Sequence, residues 1–278
     1  MLDHSASLAS PCIRLGGCCR AWIKGVAGKS PSFDRAYASV GLQYLPLVSP
    51  GGCGWSGFGA GYLRDENNWA FTVGPGLYWN PQSTPFLLGG SLFYDARNIF
   101  GRYYSQIGAS AEVYFCQWRA VVNGYMPAGR RIRYNEPVVY TGFPRGEVVT
   151  AQFLQTAVPL FEGLIGRCFQ PHPNASLDLQ FGIYNLSPAA DRNYIGLLAR
   201  ARVEGRWPIF VEAQLSKDPW FRSRGQVAIG AQVRWRQPKC RRTGCCDPCQ
   251  RLFCPRPLQR KEWVIINGCC NYTLRGPR

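Results

Sequence analysis

Clustered thiols are the first feature of this sequence with chemical potential. Cys246 and Cys249 stand two residues apart, the spacer that zinc favours, with Cys240, Cys245 and Cys254 close by. No histidine lies near them and a second Cys-x-x-Cys is missing, so a zinc ribbon lacks half its ligands. Cys18-Cys19 and Cys269-Cys270 are adjacent pairs, which suit neither a ribbon nor a redox motif. Of the 13 cysteines, seven (Cys240, Cys245, Cys246, Cys249, Cys254, Cys269 and Cys270) crowd the C-terminal end, and Cys12, Cys18 and Cys19 lie near the start. Thiols at the ends of a chain whose middle has few suggest cross-linking in an oxidising compartment. An odd count leaves at least one thiol unpaired or paired between chains.

Other chemistry is thin. Gly25-Val26-Ala27-Gly28-Lys29-Ser30 resembles the end of a phosphate loop, but Ile23 occupies the place of its first glycine. His4 and His172 are the only histidines, and no nucleophile elbow accompanies either. Carboxylates fall on alternating positions at Glu112, Asp178, Glu204 and Glu212, interleaved with Arg200, Arg202 and Arg234. Paired carboxylates can do acid–base work. On one wall of a pore the same residues form ion pairs and set selectivity, with arginines favouring anions. The pore reading is preferred, so neither an enzyme nor a cofactor or bound metal is expected.

The elements that carry these residues read as strands. Ile107, Ala109, Ala111, Val113 and Phe115 alternate with polar or small neighbours, as do Leu177 to Ile183, Ile195 to Val203, Trp207 to Leu215 and Val227 to Trp235. Earlier candidates are Ala38–Leu47, Gly54–Leu63, Trp69–Trp79, Phe86–Tyr94, Trp118–Tyr125, Val138–Phe143, Glu147–Val158 and Leu160–Phe169, separated by Asn, Asp, Gly and Pro turn signals. These runs match the roughly nine to eleven residues with which a tilted strand crosses a bilayer. A polar lumen and a lipid-facing apolar band require this alternation. Trp69, Tyr78, Trp79, Tyr125, Trp207, Trp220 and Trp235 near strand ends fit interfacial girdles. A soluble sandwich with one wet face per sheet produces the same period. Strand length favours the barrel.

Across 278 residues the formal net charge is +16, and residues 236–278 hold ten bases and two acids. A basic end can meet nucleic acid, anionic lipid or an acidic polymer. The 46% hydrophobic fraction contains no 18-residue stretch free of polar residues, which excludes a helical span. Met1 to Ser10 lacks a charged start followed by an apolar run, so either a signal lies upstream or the protein is not exported. The expected organisation is a cysteine-containing segment over 1–35, a β-barrel over 36–236 and a basic cysteine-rich tail over 237–278.

Phe93-Tyr94-Asp95, then Gly108 to Tyr114 with Glu112, then Trp118 to Tyr125 with Asn123, Gly124 and Tyr125, resemble the β-domain of inverse autotransporters. This is the intimin/invasin family of bacterial outer-membrane adhesins. The likeness runs roughly from Ala36 to Trp235 and is strongest in those three motifs. It implies a twelve-stranded barrel whose following linker threads the pore toward an exported passenger. No row of immunoglobulin-like domains follows Trp235 here, so adhesion by a distal tip does not carry over. The expectation is an all-β, antiparallel transmembrane barrel of about twelve strands with irregular cysteine-rich termini, in the bacterial outer membrane. It acts as anchor and translocation pore, with membrane lipid as partner and other envelope proteins joined through disulfides. Nucleic acid is no partner on this reading. The competing expectation is a soluble β-domain with a zinc- and nucleic-acid-binding tail.

Overall fold

The computed structural model describes residues 17–29, 36–46, 48, 51–65, 68–81, 84–99, 102–129, 132–134, 138–140, 148–172, 175–187, 193–205, 207–219, 221–235 and 265–275. Side chains are described for all of these except 17, 64–65, 68, 99, 102, 132–134, 138–140, 148–156 and 265–275.

Seven strands follow one another as hairpins: β1 (Gly17–Gly28), β2 (Tyr37–Pro46), β3 (Cys53–Asp65), β4 (Asn68–Trp79), β5 (Phe86–Ile99), β6 (Arg102–Phe115) and β7 (Trp118–Ala128). Three more, β8 (Ile132–Tyr134), β9 (Val138–Tyr140) and β10 (Val148–Ala157), leave the wall and form a separate small sheet. The wall resumes with β11 (Leu160–His172), β12 (Ala175–Leu186), β13 (Tyr194–Glu204), β14 (Ile209–Asp218) and β15 (Arg222–Trp235). β15 pairs antiparallel with β1, from Cys19 opposite Trp235 to Gly28 opposite Gln226, and so closes a twelve-stranded barrel. A last strand, β16 (Ile265–Arg275), pairs antiparallel with β10.

Closure leaves no unpaired edge in the wall, the condition for crossing hydrocarbon with strands. Barrel strands are 10 to 14 residues long, enough to span a bilayer at a tilt. Period two then sorts the side chains. Outward positions carry Ile23, Leu42, Val73, Leu92, Ile107, Phe161, Phe181, Leu197, Leu215 and Ile229, all more than half exposed. Inward positions bury Arg20, Gln43, Asp95, Glu112, Arg119, Glu162, Gln180, Arg200 and Arg202 to 6% exposure or less. This is a soluble protein turned inside out. The sandwich alternative is overturned, because among the described residues the apolar faces point out from a closed ring and do not meet across a second layer. The band they form requires lipid.

Apolar side chains cluster on the inner wall near both rims. Leu45, Val48, Tyr78, Leu87 and Tyr114 cluster by the rim where the chain enters and leaves the barrel, here the near rim. Tyr125, Val158, Leu160, Leu164, Tyr184, Leu186 and Leu198 cluster by the far rim on the opposite wall. Inward aromatic rings are seated on glycines: Trp22 faces Gly41, Tyr78 faces Gly89, Tyr184 faces Gly196 and Phe210 faces Gly230, each a cross-strand pair. A Cβ at Gly196 would stand 2.4 Å from the Tyr184 ring, so only glycine admits the ring flat against the wall.

Two boundaries differ from expectation. The barrel begins at Gly17 rather than Ala36, because β1 supplies the closing strand. Its outward residues are mostly small (Ala21, Gly25, Ala27) and its inward ones include bulky Trp22, so apolar contrast is weak there. In compensation, the runs at 138–143 and 147–158 are not wall strands. They contribute β9 and β10 to the small sheet, which leaves the total at twelve.

Candidate functional site

The lumen wall of β1, β13, β14 and β15 carries one joined charge network. Arg202 donates from Nη1 to Glu212 and from Nε to Glu204, while its Nη2 reaches Gln232 Oε1 at 3.1 Å. Lys24 Nζ donates to Glu212 Oε2 at 3.0 Å, Arg234 pairs with Glu204, and Arg20 Nη2 stands 3.5 Å from Glu204 Oε1. Four cations therefore share two carboxylates in the half of the lumen next to the near rim. The Arg202 guanidinium also lies 4.1 Å from the Phe210 ring centre, which holds its plane. The local excess is positive, with each carboxylate set between cations.

Two smaller networks face it. Glu162 on β11 accepts from Arg200 Nη2 at 3.0 Å and from Asn123 Nδ2 at 2.8 Å, while Arg200 Nε donates to Gln214 Oε1 at 3.0 Å. Glu112 on β6 accepts from Arg119 Nη2 at 3.2 Å and from the Tyr114 hydroxyl. Nearer the far rim, Asp95 accepts from Thr72 Oγ1 at 2.6 Å and Gln106 Nε2 at 3.2 Å. Asp218 accepts from the Tyr184 hydroxyl and the Phe221 amide and pins the turn after β14.

Among the residues singled out from sequence, Arg202, Glu204, Glu212 and Arg234 come together in one cluster. Arg200 belongs with Glu162, and Glu112 with Arg119. Asp178 sits half-buried on the same face of β12 as Gln180, in register with Arg202. Sequence reasoning missed Arg20, Lys24, Arg119 and Glu162. Arg119 and Glu162 share the parity of the buried side chains on their strands, a signal that was legible. Arg20 and Lys24 were hidden by the late boundary.

The resemblance motifs lie side by side on β5, β6 and β7. Phe93, Gly108 and Tyr125 form one cross-strand row, and Ser110 pairs with Asn123. Phe93, Asp95, Gly108, Glu112, Asn123 and Tyr125 face the lumen, whereas Tyr94 is exposed outward and Gly124 shares its outward parity. Cys240, Cys245, Cys246, Cys249 and Cys254 lie outside the described residues, and Cys269 and Cys270 are described only as backbone of β16. Cys18 is buried, and Cys19, Cys116 and Cys168 are half-buried. Among the described residues no cluster of His, Cys, Asp and Glu is arranged to hold a metal ion.

No family model matches the chain, and no curated protein matches it. Solved structures do. A membrane protein crystallised in meso is 12% identical with a TM-score of 0.54, covering 92% of this chain and 100% of that one. An outer-membrane channel from Pseudomonas putida F1 is 10% identical with a TM-score of 0.42, covering 81% of this chain and 98% of that one. The β-domain of a Bordetella autotransporter is 12% identical with a TM-score of 0.34, covering 80% and 99%. Identity this low speaks to fold alone, and the first of these carries the likeness. Closed wall, apolar exterior and charged interior together define a transmembrane β-barrel of the bacterial outer membrane.

Proposed function

We propose that the chain is an outer-membrane barrel of inverse-autotransporter type, an anchor and translocation pore whose C-terminal segment crosses its own lumen. One observation carries this reading. The last wall strand, β15, ends at Trp235 on the near rim, beside Cys19 of β1. β16 begins at Ile265 opposite Ala157, where β10 joins β11 at the far rim, and runs along β10 to Arg275 opposite Val148. On this reading the segment between Trp235 and Ile265 passes from one rim to the other. A path over the outer wall would set unpaired peptide groups in hydrocarbon, at several kcal/mol each. The lumen offers fixed charges and amides instead.

This arrangement also supports the cross-linking role. It pairs the backbone of β16, with Cys269 and Cys270, against β10 rather than against the wall, and on this reading disulfides to other envelope proteins would form there. The far rim holds the longest connection, residues 129–159 between β7 and β11, as the outer face of such barrels commonly does. An epitope fused after Arg278 is expected to bind antibody on intact cells. Labelling that appears only after the outer membrane is permeabilised would overturn the lumen route.

A further inference from the structure

The outward face next to the near rim is aromatic. Phe86, Phe115 and Trp118 follow one another in register across β5, β6 and β7, and all are 40% exposed or more. The next residue in that row, on β11, is Arg167. Its neighbours along the outward face of β11 are Ile165 and Phe169. A guanidinium in this position is a charge placed among rings that sit at headgroup level.

Arg167 is held in a fixed pose. Its guanidinium carbon lies 5.6 Å from the Trp118 ring centre and 5.1 Å from that of Phe169. Its Nε donates to Gln117 Oε1 at 3.1 Å, and the Gln117 carbonyl in turn accepts from the Cys168 amide at 2.9 Å. Arg167 makes no ion pair among the described residues. The side nitrogen is thus used, the plane is set by two rings, and the two terminal amino groups face outward unpaired. A planar fork of that kind matches two oxygens of a phosphate.

We propose that Arg167, with Trp118, Phe169 and Gln117, forms a binding site for the phosphodiester of an anionic phospholipid in the leaflet at the near rim. That rim carries both ends of the barrel and its shorter turns, the periplasmic side of outer-membrane barrels. The acyl chains would lie along Ile165 and Phe161. The lumen route of the C-terminal segment plays no part in this site, and its failure would leave the site standing.

Native mass spectrometry of the full chain in detergent tests the site with dioleoylphosphatidylglycerol as probe. One lipid per barrel is expected to be retained, with Arg167→Gln raising the half-saturating concentration about tenfold, as loss of a charged hydrogen-bonding pair implies. Dioleoylglycerol, which lacks the phosphate, is expected to bind both forms equally. Equal retention of the phospholipid by both forms overturns the proposal. Displacement of the lipid by millimolar inorganic phosphate would mark a free-ion site and overturn it too. If Arg167→Gln fails to show the heat-modifiable mobility of a folded barrel, Gln117→Ala serves in its place. Releasing Nε is expected to weaken retention several-fold, and unchanged retention there overturns the pose.

Discussion

Glu162 shows what a single residue contributes inside this barrel. It is 0% exposed, and its oxygens hold Arg200 from β13 and Asn123 from β7. Strands on either side of β11 are thereby tied through one carboxylate. Removing one member of a buried pair strands the other charge, at a cost of about 3–5 kcal/mol. Glu162→Ala is therefore expected to lower the urea midpoint of the refolded barrel markedly. Glu162→Gln, which keeps the acceptor for Asn123, is expected to lose less. A urea titration in lipid vesicles followed by tryptophan fluorescence checks both, and equal midpoints for wild type and Glu162→Ala would refute the tie. Arg202 occupies a similar knot. Two carboxylates, one glutamine and one ring hold it, so that its charge is a fixed part of the wall.

At the scale of the strand, alternation does the work, and lipid decides its sign. On β12 the outward Phe181 is 60% exposed while the adjacent Gln180 is 2% exposed. In a water-soluble sheet, arginine at an exposed position near mid-strand is close to neutral. In a lipid-facing wall it costs about 2–4 kcal/mol near the midplane. Phe181→Arg is thus expected to impair insertion into vesicles and lower the urea midpoint, while Gln180→Ser on the inner face leaves insertion intact. Insertion of Phe181→Arg at the wild-type level would contradict a lipid-facing β12. The runs at 138–143 and 147–158 are rich in β-branched and aromatic residues as wall strands are, and their strand propensity does not separate them from the wall. Their pairing with each other and with β16, rather than with β7 or β12, removes them from the barrel.

For the whole molecule, the decisive relation is between the two rims. Segments far apart in sequence, β10 and β16, pair with each other where β10 joins the wall at one rim, while β1 and β15 close the wall down to the other. If the thiol-rich end emerges there, envelopes isolated with thiols blocked are expected to show high-mass species on non-reducing electrophoresis. Serine at Cys240, Cys245, Cys246, Cys249, Cys254, Cys269 and Cys270 is expected to abolish them, and a wild-type sample without such species would remove the cross-linking role. Much of this architecture was legible beforehand. Period two with bilayer-length runs determines that the chain forms long amphipathic strands, and those strands expose an oily face that needs lipid or a second layer. Which of the two is realised depends on closure, and closure depends on β1, whose small outward residues and bulky inward Trp22 hide its strand character. Ion-pair partners follow the same logic. Parity places a side chain on the inner face, but only the stagger between strands brings Glu162 to Arg200 or gathers Arg20, Lys24, Arg202 and Arg234 around Glu204 and Glu212. Side-chain direction is a local consequence of backbone geometry, whereas register and closure are cooperative properties of the whole sheet.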